Sequence, residues 1–112
     1  MIKVLVTGAN GQLGSEIRKI SGLFPEMEFS FTDVAELDIT HPKKVAEFLS
    51  VFRPGYLVNC AAYTAVDKAE NDLAVATLLN ATAVGILAEH SAKIGCKMIH
   101  VSTDYVFDGR GP

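Results

Sequence analysis

VTGANGQLGSE, residues Val6 to Glu16, is the stretch on which the reading of this chain turns. Its three glycines, Gly8, Gly11 and Gly14, stand directly behind the apolar run Ile2 to Val6. Glycine at every third position between a buried strand and a helix has a geometric use. A strand that feeds straight into a helix needs a tight turn, which Gly8 permits. Gly11 leaves room for a pyrophosphate beside the backbone, and Gly14, in the first helical turn, lets helix and strand pack closely. The helix N-terminus offers unpaired N–H groups to phosphate oxygens, so the backbone of Gln12 and Leu13 belongs to the candidate site. Asn10 and Gln12 add polar side chains. A valine at position 11 would fill the pyrophosphate's volume and oppose a positive φ. The spacing is G-x-x-G-x-x-G, and no Gly-Lys-Ser/Thr follows, so it is not a Walker loop. Gly8 and Gly11 alone are compatible with an ordinary loop. The strand before and the helix after favour the phosphate.

Outward from this turn, short β-branched apolar runs alternate with helical periodicity. MIKVLV predicts a strand, and GQLGSEIRKISGLF a helix with Leu13, Ile17 and Ile20 on one face. MEFSFT predicts a second strand. HPKKVAEFLSVF predicts a helix with Pro42 at its first position and a stripe of Val45, Phe48, Leu49 and Phe52. YLVNCAA predicts a third strand after Pro54-Gly55. DLAVATLLNATAVGILAEHSAKIG predicts a long helix capped near Gly95, and KMIHVST a fourth strand. Strands separated by helices imply right-handed crossovers and an α/β, Rossmann-like, doubly wound parallel sheet. Such a fold ordinarily has about six strands. Four are legible here, so the sheet is expected to be incomplete. The expected organisation is a single NAD(P)-binding Rossmann domain over 1–112, the N-terminal portion of something longer.

An acidic residue after the second strand strengthens the dinucleotide reading. Asp33, 19 positions past Gly14, can accept hydrogen bonds from the adenosine ribose hydroxyls. It would repel a 2′-phosphate and so leans toward NAD, although a neighbouring loop can still supply a cation for NADP. In LDIT, Asp38 can meet the adenine amino group while Ile39 packs on the ring. Both aspartates also suit plainer roles: Asp33 capping a turn, Asp38 and Thr40 starting the next helix.

Composition excludes several classes. The chain has 112 residues, is 49% hydrophobic and carries a net charge of −3, which suits one soluble core and argues against a nucleic-acid partner. No apolar run reaches the length of a membrane span. The N-terminal apolar run is too short for a signal peptide. Cys60 and Cys96 fit no metal spacing and read as reduced thiols of a cytoplasmic core. His41, His90 and His100 form no ligand set, and no metal is expected. DKAEND reads as a solvated helix face.

The cofactor turn, together with VNCAAYTAVDKAE and VSTDYVFDG, resembles the extended branch of the short-chain dehydrogenase/reductase superfamily. Within that branch it is similar to the dTDP-4-dehydrorhamnose reductase family along essentially the whole chain. The resemblance implies NADPH or NADH as cofactor. It implies reduction of dTDP-4-dehydro-6-deoxy-L-mannose to dTDP-L-rhamnose by the full-length parent. A dTDP-sugar is thus the implied partner, and a homodimer is admitted. Cys60, Ala61 and Ala62 would let the backbone lie against the nicotinamide half, where the family usually has alanine at 60. Tyr63 would flank the nicotinamide ribose. Thr64 and Val66 would approach the sugar nucleotide. Asn80 would hold backbone near the site, or serve structure alone. Thr103 would donate its hydroxyl to the substrate carbonyl, with Asp104 and Tyr105 lining the pocket. A plain turn after a strand is the alternative for this last group.

The resemblance also implies a tyrosine acid with a lysine four residues on, since a new alkoxide needs a proton. Tyr56 is followed at that spacing by Cys60, Tyr63 by Asp67 and Tyr105 by Gly109. The catalytic pair and the substrate domain are therefore expected beyond Pro112. The alternative is a dinucleotide-binding regulatory relative that never carried the tyrosine.

Overall fold

The computed structural model describes residues 1–60 and 70–100, side chains excepted over 70–79. Eight elements follow in order: β1 (Ile2–Thr7), α1 (Gln12–Ile20), a 3₁₀ turn (Ser21–Leu23), β2 (Met27–Thr32), α2 (Pro42–Phe52), β3 (Tyr56–Asn59), α3 (Glu70–Lys93) and β4 (Lys97–His100). The strands form one sheet in the order β2-β1-β3-β4, every pairing parallel. The expected α/β doubly wound architecture is present.

Strand alternation divides the core in two. Val4 and Val6 point to one face, where Ala9, Ile17 of α1, Phe29, Phe31, Val58 and Cys60 gather around them. Leu5 and Leu57 point to the other, packing with Val45 and Leu49 of α2 and Leu87 of α3. Successive side chains on a strand face opposite ways, so a strand buried on both sides must be apolar throughout, as Val4, Leu5 and Val6 are.

The helix ends follow their local chemistry. Pro42 opens α2 with His41 at the N-cap position. Gly95 has φ +73 and closes α3. There Gly95 N–H donates to the Ala92 carbonyl at 3.2 Å and Cys96 N–H to that of Ser91 at 2.9 Å, the paired bonds of a glycine C-cap. The helix after the glycine turn is shorter than the sequence predicts: α1 ends at Ile20 and tightens into the 3₁₀ turn. Its expected apolar face is only partly used. Ile17 packs on the sheet, whereas Leu13 is 40% exposed and Ile20 47%. Gly14 is the buried residue of this helix, so the start of α1 lies close against the backbone of the preceding turn, and Ile17 supplies its packing on the sheet.

The order places β1 between β2 and β3. The chain runs from β1 through α1 to β2 on one side, then through α2 to β3 on the other. The switch point lies between β1 and β3, and ligands of open α/β sheets bind beyond the carboxyl ends of strands at such a point.

Candidate dinucleotide site

The residue beyond β1 at this switch point is Gly8, with φ +70, a left-handed conformation that favours glycine. Ala9 N–H then donates to the Thr32 carbonyl at 2.9 Å, fastening the turn to the end of β2. Gly11 N–H donates back to the Gly8 carbonyl at 3.1 Å, closing the turn, and Ser15 N–H makes the first helical bond, to the Gly11 carbonyl at 2.9 Å. The N–H groups of Gln12, Leu13 and Gly14 precede that bond and have no partner within the helix. No side chain caps α1, and no acidic residue stands in its first turn. The helix thus presents unscreened donors and its positive end at the carboxyl edge of β1.

The glycines divide the work differently from the sequence expectation. Gly11 has φ −78 and ψ −177, which any residue can adopt, so backbone conformation does not require glycine there. A Cβ on Gly11 would meet only the Gly8 carbonyl oxygen, at 3.4 Å. Space in front of the backbone is what remains to explain it. Gly14 is constrained far more. A Cβ there would lie 2.5 Å from Ala9 Cα and 2.7 Å from the carbonyl oxygens of Gly8 and Ala9. The close approach is to the turn itself.

Asp33, immediately after β2, reaches this turn. Its Oδ2 accepts from the Asn10 N–H at 2.9 Å and its Oδ1 from the Val34 N–H at 2.8 Å. Glu36 Oε1 accepts from the Asp33 N–H at 2.7 Å. The carboxylate is therefore fixed beside the glycine turn, and each oxygen keeps further acceptor capacity. Asp38 is engaged locally: its Oδ1 accepts from Thr40 N–H at 3.0 Å and Thr40 Oγ1 at 2.7 Å. Those two bonds hold the Asp38 carboxyl below its ordinary pKa. Ile39 packs partly against the α2–α3 core. Asn10 and Gln12 are exposed at the turn.

Cys60 follows β3, with its N–H donating to the Thr7 carbonyl at 2.9 Å. Burial pushes its thiol pKa up, so it sits as a neutral, half-buried group beside the turn. Asn80 lies partly buried on α3. Ala61, Ala62, Tyr63, Thr64, Val66, Thr103, Asp104 and Tyr105 lie outside the described residues.

A polar row at the same edge escapes the motif reading. Each strand ends on a polar residue: Thr32, Thr7, Asn59 and His100. The ladder sets Thr7 opposite both Thr32 and Asn59, and Asn59 opposite His100. Thr32 Oγ1 donates to the Val6 carbonyl at 3.0 Å, and Thr7 Oγ1 to Asn59 Oδ1 at 2.6 Å. Asn59 Nδ2 lies 3.0 Å from His100 Nδ1. The available signal was one polar residue closing each apolar run. Among the described residues no three His, Cys, Asp or Glu side chains gather as metal ligands, and no helix is long and apolar enough to cross a membrane.

Residues 2–112 match the family model described as the RmlD substrate binding domain. A dTDP-4-dehydrorhamnose reductase of Burkholderia thailandensis is 44% identical over 108 residues, covering 96% of this chain and 36% of that protein. The chain thus spans little more than a third of the length of that curated relative. The crystal structure of a dTDP-4-dehydrorhamnose reductase from Clostridium acetobutylicum superposes with a TM-score of 0.84 at 43% identity, covering 99% of this chain and 39% of that one. The structure of a dTDP-4-dehydrorhamnose reductase from Bacillus anthracis in complex with NADP gives a TM-score of 0.83 at 36% identity, with coverage of 100% and 40%.

Proposed function

The chain belongs to the RmlD substrate binding domain family, and on that premise we propose that it is the cofactor-holding portion of an NAD(P)H-dependent dTDP-4-dehydrorhamnose reductase. The observation that carries this is the turn at the switch point, where unpaired N–H groups of α1 face the carboxyl edge of β1 with Asp33 fixed beside them. The pyrophosphate rests on the backbone from Gly11 to Gly14. The adenosine ribose meets Asp33, and Asp38 and Ile39 border the adenine. The neutral Cys60, with Ala61, Ala62 and Tyr63, borders the nicotinamide half, and Asn80 supports the backbone there. The bound nicotinamide supplies the hydride.

Thr103 donates to the carbonyl oxygen of a dTDP-4-keto sugar, while Thr64, Val66, Asp104 and Tyr105 border the sugar nucleotide. The proton for the alkoxide comes from a Tyr-x-x-x-Lys pair that none of the tyrosines in the 112 residues supplies. The complete enzyme works in the cytoplasm on dTDP-4-dehydro-6-deoxy-L-mannose.

The test is a paired assay. The 112-residue chain is expected to bind NADPH saturably but to show no steady NADPH oxidation with dTDP-4-dehydrorhamnose. General acid–base catalysis is typically worth about 10²–10⁴-fold, and its donor is missing. The same chain joined to a segment carrying Tyr-x-x-x-Lys is expected to turn over. In that enzyme Thr103→Val lowers kcat more than it raises KM, by less than the roughly 10²–10³-fold of a sole oxyanion donor. Turnover by the 112-residue chain above a protein-free control overturns the assignment of the missing acid.

A further inference from the structure

Asn59 is 1% exposed at the end of a strand whose preceding residues Leu57 and Val58 are apolar. A buried amide in such a strand costs free energy unless its hydrogen bonds are made. Asn59 spans two strands with one side chain. Its Oδ1 accepts from Thr7 Oγ1 at 2.6 Å, and its Nδ2 stands 3.0 Å from His100 Nδ1. With Oδ1 turned to Thr7, the group facing His100 is an NH₂, which can only donate. His100 Nδ1 must then accept, which puts the ring proton of the neutral imidazole on Nε2.

The positions of the partners give this link its meaning. Thr7 is the last residue of β1 and immediately precedes Gly8. His100 is the last residue of β4 and immediately precedes the VSTDY stretch. In the ladder Asn59 stands opposite both Thr7 and His100, at the end of each described strand. We propose that Asn59 is a positioning residue: through Thr7 and His100 it locks the ends of β1 and β4 together across β3, so that the glycine turn that follows Thr7 keeps one fixed relation to the end of β4. A hydrocarbon at 59 would preserve the strand and lose the lock. Thr7 and Asn59 are each 1% exposed, so the bond between them forms away from water, while the bond to His100 reaches the exposed edge of the sheet.

The inference rests on the dinucleotide reading for its consequence, but not for its geometry. The test compares wild type, His100→Leu and His100→Gln by NADPH fluorescence titration, melting temperature and imidazole ¹⁵N shifts. His100 is exposed, so both variants keep the core. Glutamine offers an oxygen that can accept from Asn59 Nδ2, and leucine offers nothing. The expected results are an unprotonated Nδ1 in the wild type and an affinity about 2- to 10-fold weaker in His100→Leu, the loss of one hydrogen bond. Most of that affinity returns in His100→Gln, with all three melting temperatures alike. Wild-type affinity in His100→Leu, a His100→Gln as weak as His100→Leu, or a proton on Nδ1 overturns the proposal. If the wild type takes no NADPH, the dinucleotide reading falls by itself. Amide exchange over Gly8–Gly11 in the ligand-free chain then decides: faster exchange in His100→Leu than in wild type supports the lock, and equal rates overturn it.

Discussion

Single atoms decide most at Gly14. Its missing Cβ is the condition for α1 to start where it does, since Ala9 Cα would lie only 2.5 Å from it. The obstructing atoms are backbone and cannot turn aside. Gly14→Ala is expected to destabilise the fold by about 1–3 kcal/mol, the range for overpacking, read as a lowered melting temperature. An unchanged melting temperature would mean that α1 shifts freely on the sheet. Asp38 makes a second prediction at this scale. Its carboxyl pKa is lowered by the hydrogen bonds from Thr40. A lowered folded-state pKa contributes stability that is complete above the unfolded value, about 3.9, and is lost as pH falls through the lower folded one. Asp38→Asn is therefore expected to reduce stability at neutral pH and to flatten the acid limb. Parallel stability curves for variant and wild type from pH 7 down to pH 2 contradict it. The sequence showed where glycine was needed but not always why. Gly8 has the positive φ expected of the turn, whereas Gly11 has none. Steric room and backbone conformation leave the same letter in a sequence.

Elements were legible wherever their signals were local. MEFSFT is β2 to the residue, Pro42 opens α2, and Gly95 caps α3. Each depends on chemistry within a few positions. The apolar stripe of α1 was over-read, because periodicity tells which side chains share a face but not how much sheet lies beneath it. Leu13 and Ile20 share the face of Ile17 yet remain exposed. The polar row was missed for a related reason. Thr7, Asn59 and His100 meet through strand register, and no window around any one of them contains the others. The end of α2 carries its own prediction. Arg53 caps that helix in the left-handed region at φ +50. Non-glycine residues are strained there, so Arg53→Gly is expected to leave stability unchanged or raise it by up to about 1 kcal/mol, measured by denaturant unfolding. A clear loss would show that the arginine side chain outweighs the backbone strain.

The whole molecule arranges one functional edge. Four parallel strands in the order β2-β1-β3-β4 put the switch point beside β1, and the carboxyl ends bring together the glycine turn, Asp33, Cys60 and the polar row. α1 covers one face of the sheet, α2 and α3 the other. This much of the architecture follows from alternating apolar runs and helical periods. What the pattern did not contain was the set of side-chain hydrogen bonds that join the strand ends across the sheet. On the proposed function the turn after β1 serves to hold a dinucleotide pyrophosphate, and Gly11 isolates that role. Its backbone conformation is open to any residue and its Cβ position meets nothing closer than 3.4 Å, so a side chain there threatens the ligand and not the fold. Calorimetric titration of NADPH into wild type and Gly11→Val, with circular dichroism and melting on both, is the most direct measurement. Saturable binding to the wild type, none detectable to the variant, and closely similar spectra and melting temperatures are expected. Equal affinity of the two proteins for NADPH would contradict that role.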